Sequence, residues 1–362
     1  MSEAVLLIGT KKGLWIGRSD AARQNWTLDG PHFEMQGVYS VGIDTRGDRP
    51  RLFAGGTSEH WGPAVFHSDD LGRSWAEPPE GSIGFPEEAD ASVERVWQIQ
   101  PGPDGQPGVV YAGAQPSSLW KSTDGGVTFE LVRGLWDHPH RKDWGAGYGG
   151  AAIHTVLPHH DDADSMTVAM STGGVYQTRD GGSSWSPANV GIKAYFMPDP
   201  WPEFGQCVHK VARPLESHGR MYAQNHHGVY RTDDDGASWQ SIADGLPSDF
   251  GFAMVVDPND GDTIYVFPLV ADGERIPPGA KARVWKSTDG GSSWSEHGKG
   301  LPEDAFYAAV MRDAMTTVDA SPTGVYFGAR DGSVYSSNDA AETWQQVVEH
   351  LPDVMCVRAA LI

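Results

Sequence analysis

Cysteine is scarce in this chain, with 2 among 362 residues. That excludes a disulfide framework. Cys207 and Cys356, both in expected inner strands, read as buried thiols. No apolar run has the length that a membrane-spanning helix needs, and no membrane partner is expected. The first residues lack a basic segment followed by an apolar stretch and a cleavage site, so the expected location is cytoplasmic. Basic residues are also few. Lys and Arg number 27 against 48 Asp and Glu, a formal net charge of −21. Nucleic acid is disfavoured as a partner, because phosphate contact needs Lys and Arg. The acidity reads as serving solubility, and composition leaves the oligomeric state open.

What the chain has in abundance is repetition. Six segments share the pattern Ser/Thr-x-Asp-x-Gly-x-Ser/Thr-aromatic: Ser68 to Trp75, Ser122 to Phe129, Thr178 to Trp185, Thr232 to Trp239, Ser287 to Trp294 and Ser337 to Trp344, the last with Ala341 in place of Gly. A worn seventh copy ends at Trp26. A period of roughly 50 residues, one supersecondary unit each, means a propeller or array. Each copy has the chemistry of a tight turn: Asp and Ser/Thr accept bonds from nearby backbone N–H groups, Gly allows positive φ, and the aromatic opens the next strand. Short β-branched and aromatic runs precede each box, as in Val168-Ala169-Met170 and Gly174-Val175-Tyr176-Gln177, as strands prefer. One period is therefore four strands, a to d, with the box at the c–d turn. The chain opens on a b strand, Val5 to Gly9, and ends on an unpartnered apolar run, Val354 to Ile362. The expectation is one all-β domain over 1–362, a seven-bladed β-propeller whose C-terminal strand supplies strand a of the first blade. Such closure removes exposed sheet edges.

These boxes resemble those of the bacterial Asp-box (BNR) propellers of the sialidase-like superfamily, which includes xyloglucanase-type glycosidases, sortilin-type receptors and a photosystem assembly factor. The resemblance spans nearly the whole chain. The stretches Trp201 to Lys210, Gln224-Asn225-His226 and Asp249 to Phe252 are similar to a group of soluble bacterial propellers often labelled glycosyl hydrolases. The resemblance implies a ligand site at the channel mouth, and glycoside hydrolase or lyase chemistry if the protein is an enzyme. A sialidase carries an Arg-Ile-Pro motif ahead of its first box. Here Arg275-Ile276-Pro277 stands in the sixth repeat, so true sialidase activity is not expected.

The site is expected on the face opposite the boxes, where the d–a and b–c loops are unequal. The long ones are Ala76 to Ser92, Leu131 to Gly150, Ser186 to Gln206 and Pro268 to Arg283. Loop excess on a rigid scaffold is where function concentrates. A glycosidase needs two carboxyl groups. Glu203 or Asp313 would be the acid/base, with Asp143 and Asp249 as further carboxylates and His154 and His209 as acid/base groups. Arg95, Arg141, Arg312 and Arg330, with Trp144, Gln224 and Asn225, would bind a small polar or carbohydrate-like ligand. A second reading places a divalent metal ion on His154, His209 and His226, brought together from adjacent blades. No other cofactor is indicated. A third reading is a non-catalytic disc that binds a ligand or a protein. The box aspartates read as turn-stabilising. Trp136, Trp144 and Trp201 read equally as sugar platforms or loop anchors.

Overall fold

The computed structural model describes residues 3–146, 150–215, 219–271 and 273–362. Part of the Gly-rich passage after Trp144 thus lies outside the described residues. Among the described residues only Arg133–Trp136 is α-helical. Four sheets are four-stranded and antiparallel, running outward from Arg95–Pro101, Ile153–Pro158, Val208–Ala212 and Gly251–Asp257. Gly37–Asp44, Arg51–Ser58 and Gly62–Ser68 form a three-stranded sheet, which a bridge from His67 to Ala76 extends. In an eight-stranded sheet, the four strands from Val310–Val318 to Gln345–Val348 meet Glu3–Thr10, Gly13–Asp20 and Thr27–His32. Between the two groups lies Val354–Leu361, antiparallel to Glu3–Thr10 along its length and touching Val310–Val318 at one parallel pair, Asp313 with Cys356. Each sheet's inner strand packs against that of the next, and Val354–Leu361 packs against Gly37–Asp44.

The box turns form the expected network. In the second repeat the Ser68 hydroxyl donates to Asp70 Oδ1 at 2.8 Å and accepts from Gly72 N at 2.8 Å. Asp70 in turn accepts from the Ser74 backbone at 2.9 Å and its hydroxyl at 2.6 Å. The same bonds recur at Asp180, Asp234 and Asp289. The Ser hydroxyl that closes each of these boxes, with the backbone N–H groups, holds the Asp carboxyl down to about 2. Gly182 and its counterparts take positive φ, and Ala341 follows them at 71°. The closing aromatics join neighbouring sheets: Trp239 Nε1 donates to Ala188 O at 2.9 Å and Trp294 Nε1 to Ile242 O at 2.8 Å.

Apolar side chains fill the space between sheets. Phe250, Phe267 and Leu301 pack with Met315, Phe327 and Trp344, and the Phe267 and Phe327 rings lie 5.3 Å apart. Burying one such side chain contributes about 1.5–3 kcal/mol, repeated round the molecule. Cys356 is fully buried within one of these cores.

Candidate functional site

The inner strands share a feature that places the central side chains. Each carries a register shift at nearly the same height. One residue is left over against the second strand at Tyr39, Trp97, His154, His209 and Met355. Longer shifts leave Phe252-Ala253 and Met311 to Ala314. A bulge bends its strand and re-aims a side chain. Tyr39, Trp97, His154, Arg312 and Met355 accordingly surround one enclosed void, with Met311 and Asp313. The Tyr39 and Trp97 rings meet edge-on at 5.3 Å.

The next residue along each strand forms a second layer: Ser40, Gln98, Thr155, Lys210, Asp313 and Cys356. Gln98 Oε1 accepts from Val156 N, and Thr155 Oγ1 accepts from Val211 N at 3.4 Å. Lys210 Nζ lies 2.6 Å from Asp313 Oδ1, and Arg358 Nη2 lies 2.8 Å from Asp313 Oδ2. Burial pushes the Asp313 carboxyl up, and the charges of Arg358 and Lys210 outweigh it and hold it below the usual range. Asp313, expected as an acid/base, is thus committed to an ion triad, buried at Lys210 and Asp313 and half-buried at Arg358, that ties three inner strands together.

The other expected residues separate into groups. Arg141 lies over the Trp136 ring at 3.8 Å, and Trp144 Nε1 donates to Tyr176 Oη at 3.0 Å. Both Trp rings are buried, so these residues anchor the long loop. Trp201 is 57% exposed, with Lys193 Nζ 5.5 Å from its ring centre. Glu203 is also exposed, on the same loop. Asp143 is exposed elsewhere, and Asp249 lies 3.6 Å from His227. Gln224 Nε2 donates to the carbonyls of Asn225 and Asp249, and Asn225 Nδ2 to those of Lys193 and His227. Both amides brace their own sheet. Arg95 meets Gln115 and the Tyr39 ring. Arg330 pairs with Asp353 at 2.6 Å.

His154 is buried, with Nε2 3.0 Å from Ser171 Oγ and Nδ1 without a partner among the described residues. Burial first, then the charges of Arg312, His209 and Lys210, hold its pKa well below the usual range. Arg312 is buried, and burial pushes it down to about 10. Its Nη2 reaches Ser171 Oγ at 3.4 Å and its guanidinium lies 5.1 Å from the Phe252 ring centre. His209 and His226 do meet, with ring centres 5.3 Å apart. The third group beside them is Cys207 rather than His154: donor atoms of Cys207, His209 and His226 all lie within 4.8 Å of one another. The three come from one sheet, not from adjacent ones, because His226 follows the strand that pairs with the Cys207 segment. The sequence offered only the closeness of Cys207 and His209; the bulge at His209 and the return of His226 bring the donors together.

Several openings reach solvent among the described residues, two of them beside the inner strands. One, about 470 Å³, lies where the inner strands run into their a–b turns and is rimmed by Arg46, Lys210, Arg213 and Arg358. The other, about 600 Å³, lies at the d–a and b–c loops and is lined by Phe252, Glu274, Arg275, Tyr307, Arg330 and Asp331 among others. Of the ligand-binding residues expected from sequence it includes Arg330. Arg275 lies 5.4 Å over the Phe252 ring, and Tyr307 is 67% exposed. Glu274 and Asp331 carry no ion pair among the described residues. The length of the Pro268 to Arg283 loop was the sequence clue to the Glu274 and Arg275 side of this cavity.

No protein-family profile matches the chain. A xyloglucanase from Hypocrea jecorina is 26% identical over 322 residues, 78% of this chain and 37% of that protein. One from Paenibacillus is 25% identical over 233 residues, 56% of this chain and 21% of the other. The chain thus spans well under half of these curated relatives. Among solved structures, a GH74 xyloglucanase from Xanthomonas campestris superposes with a TM-score of 0.64 at 18% identity, covering 96% of this chain and 52% of that one. YCF48 bound to D1 peptide gives 0.54 at 16% identity, covering 87% and 83%. The WD40 β-propeller domain of Doa1 gives 0.52 at 13%, covering 94% and 91%. The chain is an all-β protein with propeller structural neighbours and is distantly homologous to xyloglucanases.

Proposed function

We propose that this chain is a single seven-bladed Asp-box propeller, closed by its C-terminal strand, that binds a carbohydrate-like ligand in the cavity on its loop-bearing face. The architecture is supported by the strand that Val354–Leu361 adds beside Glu3–Thr10 and by the succession of packed inner strands. The ligand reading rests on one observation: this cavity gathers two carboxylates, Glu274 and Asp331, that form no ion pair among the described residues, beside Arg275 and the exposed ring of Tyr307. Charged groups set among apolar and aromatic walls are what a polar small-molecule site requires. An open aromatic face suits the apolar side of a sugar ring. The distant relation to xyloglucanases supports the same ligand class.

Glycoside cleavage requires one carboxyl group as acid and a second as base or nucleophile. Glu274 and Asp331 are the pair this cavity offers. Calorimetric titration with xyloglucan oligosaccharides and acidic oligosaccharides tests the reading. Tyr307→Ala is expected to weaken binding about tenfold, the loss of an aromatic contact of about 1.4 kcal/mol, with thermal stability unchanged. Glu274→Gln and Asp331→Asn are expected to abolish any release of reducing ends. No binding by any oligosaccharide, or binding indifferent to all three substitutions, would overturn it.

A further inference from the structure

We propose that Cys207, His209 and His226 form a binding site for one thiophilic transition-metal ion of the zinc class, with a fourth position open toward the loop-bearing face. The proposal stands on the geometry of these three residues and does not depend on the carbohydrate reading.

Zinc takes thiolate at about 2.3 Å and imidazole at about 2.0–2.1 Å in tetrahedral sites, which sets sulfur and nitrogen about 3.5 Å apart. Cys207 Sγ and His209 Nε2 are 3.5 Å apart. His209 is already oriented as a ligand. Its Nδ1 faces Gly251 O at 2.6 Å, so the proton belongs on Nδ1 and the Nε2 lone pair faces the sulfur. Metal-bound imidazoles commonly have their other N–H fixed by a carbonyl in this way. The backbone holds the third ligand in register: His226 N donates to Cys207 O at 2.8 Å, pinning the two ends of the site across one strand pair.

The surroundings favour a soft ion over a hard one. No carboxylate belongs to the cluster, and thiolate with imidazole selects zinc-like metals over magnesium or calcium. Phe250 and Phe252 wall the site, with ring centres 5.8 and 4.7 Å from His209. Phe196 lies against His226 at 6.2 Å. Cys207 and His209 are buried whereas His226 is half-buried, so an ion enters past His226 and the open position faces that side. A second cluster, His159, His160 and Asp161, has a carboxylate in place of the sulfur and sits at an a–b turn; it provides an internal control.

An S–H···N hydrogen bond would have the same length, and metal titration separates the two. The full chain is stripped with chelator and titrated with Co²⁺, then with Zn²⁺. The expected result is one equivalent of Co²⁺ with a sulfur-to-cobalt charge-transfer absorption that Zn²⁺ abolishes. Cys207→Ser should remove that absorption. His226→Gln, at a half-buried position that leaves the core intact, should weaken Zn²⁺ binding at least about tenfold with an unchanged melting temperature. His160→Gln should change neither. Absence of a charge-transfer band, a band that survives Cys207→Ser, or loss of binding in His160→Gln alone would overturn the proposal.

Discussion

Asp234 sits on a solvent-facing turn and Asp313 in the middle of the molecule, yet both carboxyls are held below their ordinary range. The causes differ. At Asp234 the Ser238 and Thr232 hydroxyls and the Ser238 backbone N–H do it, within one turn. At Asp313 two cations from other strands overcome burial. The same contrast runs through the whole chain. The box turns repeat one bonding pattern with nearly constant residues, and each turn satisfies itself. The central bulges repeat one backbone irregularity with different residues: Tyr39, Trp97, His154, His209, Arg312, Met355. Constancy marks the parts that build the scaffold. Variation at a fixed position marks where the repeats have diverged in chemistry.

The largest effect is expected from deleting Val354 to Ile362. That strand pairs with Glu3–Thr10 over its whole length and carries the fully buried Val354, Cys356 and Val357. Without it the cooperative thermal transition should disappear, as followed by circular dichroism. Next comes Asp313→Asn, which leaves Lys210 enclosed without its counter-charge. Breaking a buried pair costs about 3–5 kcal/mol, measurable by denaturant titration. A loss below about 1 kcal/mol would place the triad among weak surface pairs.

Acid should destabilise the protein in two separate stages. His154 has a folded pKa well below 6.5 because it is buried. The unfolded chain therefore takes up its proton first, and stability falls as pH drops below 6.5. The boxes act lower. Asp234 and Asp289 titrate near 2 when folded against 3.8 when unfolded, so their contribution is complete above 3.8 and is lost as pH falls toward 2. His209 is held down by burial in the same way, so His154→Gln should reduce the first stage without abolishing it and leave the second. Melting temperatures across pH 7 to 2 check both. The smallest effect is expected at Ala341, held at φ 71° where its counterparts are Gly. A left-handed conformation costs a non-glycine residue about 1 kcal/mol, so Ala341→Gly should stabilise by up to that amount.

The boxes, strands and C-terminal pairing were legible in the sequence because turn chemistry and alternation are local. Asp70 finds its partners within four residues, and no tertiary information is needed to infer that. The site was legible only in outline. The Cys207, His209 and His226 cluster required knowing that a bulge turns His209 toward Cys207 and that His226 N returns to Cys207 O. Nothing in residue types distinguishes His154, bonded to Ser171, from His226. Asp313 looked like a free acid because its cations, Lys210 and Arg358, are 103 and 45 residues away. Trp136 and Trp144 differ from Trp201 only in what packs over them. Long-range pairing decides each of these, and only the fold supplies it.

The most direct test of the division between scaffold and function is hydrogen–deuterium exchange of the full chain with and without saturating xyloglucan oligosaccharide. The account predicts new protection confined to the segments around Glu274, Tyr307 and Asp331, with the box turns unchanged. Protection centred on the box turns or on the a–b turns near Arg46 and Arg213 would contradict it.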